Sequence, residues 1–141
     1  MFSQEEGKAV EDAVDKMLQK IGFEKDSSEY QHFSRNGGLN ACFVDKAELY
    51  NTLKKTKKVT NEKLLAPEAI RLVIEQHRLA YAGKDTSHLT GLAITEANGV
   101  ERTVSIEELN NNLLNAIMVT GLEARMHHFG MDPDKESHIQ I

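Results

Sequence analysis

The sequence predicts an α+β domain: two helix–hairpin–helix halves whose hairpins pair into a small antiparallel sheet, covered by helices on one face. Three observations predict it. Apolar residues recur at helical spacing behind recognisable caps, Ser3 with Glu6, Asp45 with Glu48 and Ser105 with Glu108. Two Asn-Gly turns, Asn36-Gly37 and Asn98-Gly99, each stand between short apolar runs, the strongest short-range hairpin signal. Finally, segment 44–53 (VDKAELYNTL) returns 60 residues later as 104–113 (VSIEELNNNL), identical at five of ten positions.

The first helix starts at Ser3, where the hydroxyl can accept from a free backbone N–H and Glu6 reaches back. Val10, Ala13, Val14, Met17, Leu18 and Ile21 form its inward stripe, and Gly22 ends it. A polar linker over 23–28 leads to a hairpin: Tyr30, His32 and Phe33, the turn Asn36-Gly37-Gly38, then Leu39, Ala41, Phe43 and Val44. Asp45 opens a helix through Leu49 and Leu53 into Lys54, Lys55, Lys57 and Lys58. After a connection over 60–66, Pro67 starts a helix with Ala69, Ile70, Val73, Ile74, His77 and Tyr81 inward and Gly83 as its stop. The second hairpin runs from 89–95 through Asn98-Gly99 to 100–106. Ser105 then caps the last helix, which ends near Gly130 and is apolar or small nearly all round over 113–119, as a central helix is. Residues 1–130 read as one domain and 131–141 as a tail, flexible or an added edge strand.

The 60-residue offset also sets Ala9, Val10, Ala13 and Val14 over Ala69, Ile70, Val73 and Ile74. Internal duplication predicts this correspondence, and so does convergence of any strand that enters a capped helix. In element order (helix, strands, helix, strands, helix) the chain resembles bacterial type III secretion chaperones. The helix from Pro67 to Tyr81 departs from that order, and the likeness is one of architecture without a shared motif.

Composition narrows the function classes. Of 141 residues 40% are hydrophobic and 28% charged, an ordinary globular balance. A net charge of −5, no tryptophan and few aromatics argue against nucleic acid as partner. No apolar stretch approaches the length of a membrane span, and Met1-Phe2-Ser3-Gln4-Glu5-Glu6 is acidic where a leader is basic. With Cys42 as the one cysteine, no intrachain disulfide forms, and a cytoplasmic location is expected.

Candidate chemistry is sparse. Cys42 is the one thiol available to a histidine base, although in an apolar run cysteine usually packs as a small hydrophobe. Glu123 and His127 stand one helical turn apart near His128, Asp132, Asp134 and His138, donor types that suit zinc, manganese or iron. Against that, histidines in a last turn also offset the helix dipole. His88-Leu89-Thr90 matches half of the paired signature of two-histidine phosphoesterases, and the other half, His138-Ile139-Gln140, lacks the hydroxyl residue. Glycine-rich phosphate loops and Cys-x-x-Cys pairs are absent, so no cofactor is expected.

The expected function is therefore a non-catalytic protein-binding module of the adaptor, secretion-chaperone, inhibitor or immunity-protein type. Lys54, Lys55, Lys57 and Lys58, with Met118 and Met126, are its candidate contacts. The alternative is a small hydrolase or transferase using Cys42 with a histidine, or a metal near Glu123 and His127. A third class is a homodimer in which a second copy covers the all-round apolar helix.

Overall fold

The computed structural model of the chain describes residues 3–35 and 39–133, a mostly helical α+β fold with a two-stranded antiparallel sheet. Helix α1 (Gln4–Ile21) opens on the expected capping box: the Ser3 hydroxyl accepts from the Glu6 N–H at 3.1 Å, and the Glu6 carboxylate accepts from the Ser3 N–H at 3.2 Å. It stops at Gly22, whose φ of 118° costs glycine little and other residues much. Val10, Val14 and Leu18 are its buried stripe.

The first hairpin is not formed. Residues expected to be its leading strand make helix α2 (Ser28–Arg35), and Asn40–Cys42, expected in the return strand, is a 3-10 turn. The turn itself, 36–38, lies outside the described residues. The helical period wins here because Glu29 and Phe33, four apart, are both buried, and because the Ser27 hydroxyl accepts from the Tyr30 N–H at 3.2 Å, a cap inside the presumed linker. With this correction the four-stranded sheet and the paired helix–hairpin–helix halves are lost, and so is the element order on which the likeness to secretion chaperones rested.

The Asp45 capping box is also absent. A 3-10 turn, Lys46–Glu48, intervenes before helix α3 (Leu49–Val59), and Glu48 donates its N–H to the Asp45 carbonyl rather than to its side chain. Asn61 caps a third 3-10 turn, Glu62–Leu65, and Pro67 occupies the first turn of α4 (Pro67–Tyr81). Ala69, Ile70 and Val73 of α4 are buried as expected, whereas Tyr81, read as inward, is 77% exposed.

The second hairpin is present as β1 (Leu92–Thr95) and β2 (Glu101–Val104), with Leu92 opposite Val104 and Thr95 opposite Glu101. Its exposure alternates along both strands, so one face is covered and the other open. Gly91 is required where the hairpin begins: a Cβ there would lie 2.2 Å from the Val104 carbonyl oxygen.

Helix α5 (Ile106–His128) starts at Ser105 as expected and forms the axis of the molecule. It runs antiparallel to α1, since Arg125 meets Glu6 while Gly121 lies beside Val10. It is likewise antiparallel to α3, pairing Met118 with Thr56 and Asn112 with Asn61. The main core joins Val10, Val14, Leu18, Phe33, Ile70, Val73, Leu109, Leu113 and Ile117, and a second cluster joins Leu49 and Leu53 to Leu122 and Met126. The chain's own α1, α3 and α4 pack against α5, and Leu113, Ala116 and Ile117 of its all-round apolar stretch are buried. Among the described residues no helix is long and apolar enough to cross a membrane.

Candidate functional site

Cys42 is fully buried against α5. Its thiol donates to the Met118 carbonyl at 3.4 Å and lies 3.9 Å from that of Ile117. Gly121 leaves the room: a Cβ there would come within 2.1 Å of the Cys42 Sγ. Burial pushes the thiol up to about 12, against the smaller opposing pull of Arg125 and the backbone at Gly121 and Leu122. A protonated thiol sealed under a helix is no nucleophile as folded.

The carbonyl of Cys42 leads to the most heavily bonded buried side chain. Arg125, 1% exposed, donates its Nε to the Glu6 Oε1 at 3.0 Å, with Nη2 2.9 Å from the same oxygen. Its Nη1 donates to the Cys42 carbonyl at 2.9 Å and also to that of Val44. The rings of Phe43 and Phe129 stand 5.7 and 5.8 Å from the guanidinium carbon. Burial alone would raise the Glu6 carboxyl, but the Ser3 N–H and Arg125 together hold it below its ordinary range. The arrangement is a clamp joining the start of α1, the 40–44 segment and the end of α5. Its donors are already engaged, so it binds structure rather than substrate. Sequence reading passed over Arg125; the signal was a charged residue standing in the apolar stripe of Leu122 and Met126.

The other candidates are scattered. His88 is exposed in the loop between α4 and β1. Glu123 pairs with Lys57 at 3.6 Å, and His127 is exposed in the last turn of α5. Among the described residues no group of three His, Cys, Asp or Glu side chains could hold a metal ion. Asp134 and His138 lie outside the described residues, as does the rest of the tail beyond 133. Lys54, Lys55, Lys57 and Lys58 are all exposed on α3. Met126 is wholly buried and so is corrected from contact residue to core, while Met118, half-buried, accepts from the Thr56 hydroxyl at 3.7 Å.

What the structure adds is a groove of about 380 Å³ where α1, α5 and the Glu62–Leu65 turn meet. Met17, Ile21, Leu65, Ala116 and Val119 give it apolar walls, and Lys20, Glu62, Thr60, Thr120 and Glu123 give it a polar rim. It continues toward the lysine-bearing helix through Lys57 and Thr60. The turn that forms one wall is fixed by Asn112, whose amide donates to the Asn61 carbonyl at 2.9 Å and accepts from the Asn61 N–H at 2.7 Å. Met17 and Ile21 were expected on the core stripe of α1, yet both remain half-exposed at the groove. Three segments distant in sequence build this site, so no local pattern announces it. No family model, curated protein or solved structure matches the chain.

Proposed function

We propose that this chain is a non-catalytic protein-binding module, and that its partner lays the apolar face of an acidic helix into the groove between α1, α5 and the Glu62–Leu65 turn. The observation that carries the reading is the groove: apolar walls open to solvent, continuing to Lys57 of α3, on a chain whose net charge is −5. Helix-in-groove recognition needs apolar anchors every three to four residues and a rim of opposite charge. Lys20 and Lys57 are the basic residues at the groove, and Lys54, Lys55 and Lys58 lie exposed on the same helix as Lys57, which has no acidic residue. The sealed thiol of Cys42 and the pairing of Glu123 with Lys57 favour binding over the hydrolase or transferase alternative.

Capture from native lysate at moderate salt, with stoichiometry read by mass spectrometry, tests the reading. The wild type is expected to return one near-stoichiometric protein. Val119→Glu is expected to release it, while Val100→Glu at the hairpin tip retains it. Capture that survives Val119→Glu but fails in the hairpin variant would move the site to the sheet edge.

The 60-residue correspondence fits descent from one helix–connector–helix unit. Val10 and Ile70, Leu49 and Leu109, and Leu53 and Leu113 are all buried, each pair at that spacing. On this reading the connector became α2 in one copy and a hairpin in the other, and sequences reconstructed from homologues should bring the halves closer together.

A further inference from the structure

We propose that the groove between the end of α1 and the outer face of α4 receives the C-terminus of a partner chain whose last residue is aliphatic, its carboxylate held by Arg71. The groove measures about 320 Å³. Pro67, Arg71, Ile74 and Arg78 line one side of it, spaced every three or four residues and so on one face of α4. Ile21 and Gly22, where α1 stops, line the other. Ile70 is buried beneath, and Ile21 and Ile74 are half-buried, so the floor is apolar. The site shares only Ile21 with the groove between α1 and α5 and does not depend on what that groove holds.

The charge at the rim selects the ligand. Arg78, Arg102 and Arg125 each hold a carboxylate of this chain, at 2.7, 2.7 and 2.9 Å. Arg71 is exposed and, among the described residues, has neither an ion pair nor a hydrogen bond. Glu68 and Glu75 stand within a turn of it on α4, yet neither lines the groove. Arg78 is already paired with Glu29, so the guanidinium left for a ligand is that of Arg71. Its planar fork matches the two oxygens of a carboxylate. In a C-terminal residue the carboxylate and the side chain spring from one Cα, which suits the placing of Arg71 three residues before Ile74. An aspartate or glutamate carries its carboxylate on a side chain of its own, away from an apolar neighbour. Gly22, Pro67, Arg71 and Arg78 are exposed, so the groove is open along its rim. Sites for free small molecules enclose most of their ligand, whereas a chain end runs on out of an open groove.

The experiment is an NMR titration of the isotope-labelled full chain at neutral pH with the peptide acetyl-alanyl-alanyl-leucine. The peptide should shift the amide signals of Gly22, Ile70, Arg71 and Ile74, with a Kd roughly in the millimolar range. The same peptide with a C-terminal amide should bind about tenfold more weakly, because the charge-assisted bonds are lost. Arg71→Gln, at an exposed position, should leave the unfolding midpoint unchanged and weaken binding by about the same factor. Lys55→Gln removes an equal charge from α3, and Val119→Glu alters the other groove; both should bind as the wild type does. Five results would each overturn the proposal: no shift at those amides, equal binding of acid and amide, undiminished binding by Arg71→Gln, binding lost in either control, or isocaproate binding as tightly as the peptide.

Discussion

Replacing Arg125 with methionine tests how the two ends of the chain are joined. The substitution keeps an apolar stem and removes the guanidinium. Glu6 then loses partners at 3.0 and 2.9 Å, and the carbonyls of Cys42 and Val44 lose their donor. What remains to the buried carboxylate is Ser3, through its N–H and hydroxyl. Breaking a buried pair from one side costs about 3–5 kcal/mol, and because Glu6 sits at a helix N-terminus that still favours an anion, we expect about 3–4 kcal/mol. Glu6→Gln alone should cost about 1–3 kcal/mol, since an amide oxygen still accepts from the guanidinium. The double variant should cost less than the sum, with a coupling of at least about 1.5 kcal/mol. Urea unfolding followed by far-UV circular dichroism measures all four species. The clamp argument is refuted if Arg125→Met costs under about 1 kcal/mol, or if the two changes are additive.

Three further outcomes are expected. Gly121→Ala places a Cβ 2.1 Å from the Cys42 Sγ, so despite the helix propensity it gains it should destabilise by about 1–3 kcal/mol, and Cys42→Ala in that background should recover part of the loss; a Gly121→Ala protein as stable as wild type would contradict the packing. The thiol, pushed from 9.0 to about 12, should react with a thiol-specific reagent about a thousandfold more slowly in the native protein than in urea, and an immediate native reaction would show an open cysteine. Stability should be greatest between roughly pH 6.5 and 9. Glu6 and Glu29 are held below 4.5 and His32 below 6.5, so their contributions are lost as pH falls through the folded values; the raised thiol of Cys42 loses its contribution as pH climbs above 9.0. Denaturant midpoints across pH check the shape, and a midpoint that rose on acidification would contradict it.

Features set by neighbours in sequence were legible. Ser3 with Glu6, Pro67, Ser105 and Asn98-Gly99 act within a few residues, and each marks the element expected of it. The first hairpin failed because Asn36-Gly37-Gly38 outweighed a quieter signal, Ser27 capping Tyr30 with Glu29 and Phe33 one turn apart. Burial of Glu29 has no local signal, because its partner, Arg78, stands 49 residues away. Arg125 and Glu6 are 119 residues apart, and the groove draws on three separated segments, so neither was visible to a local reading. Met126 reads in sequence as a contact residue because a methionine in an amphipathic helix looks the same whether it faces a partner or, as here, the core.

Placing the axis of the molecule at the end of the chain sets the timing of its synthesis. Helix α1 is made first, but Val10, Val14 and Leu18 pack against a helix that ends at His128. At about 5–20 residues per second, roughly a hundred residues must follow before α5 is complete, so the apolar stripe of α1 waits about 5–20 s for its main packing partner in each round of translation. Until then the stripe lacks Leu109, Leu113 and Ile117, and a chain released before Arg125 is added lacks the residue that ties Glu6 to the 40–44 segment.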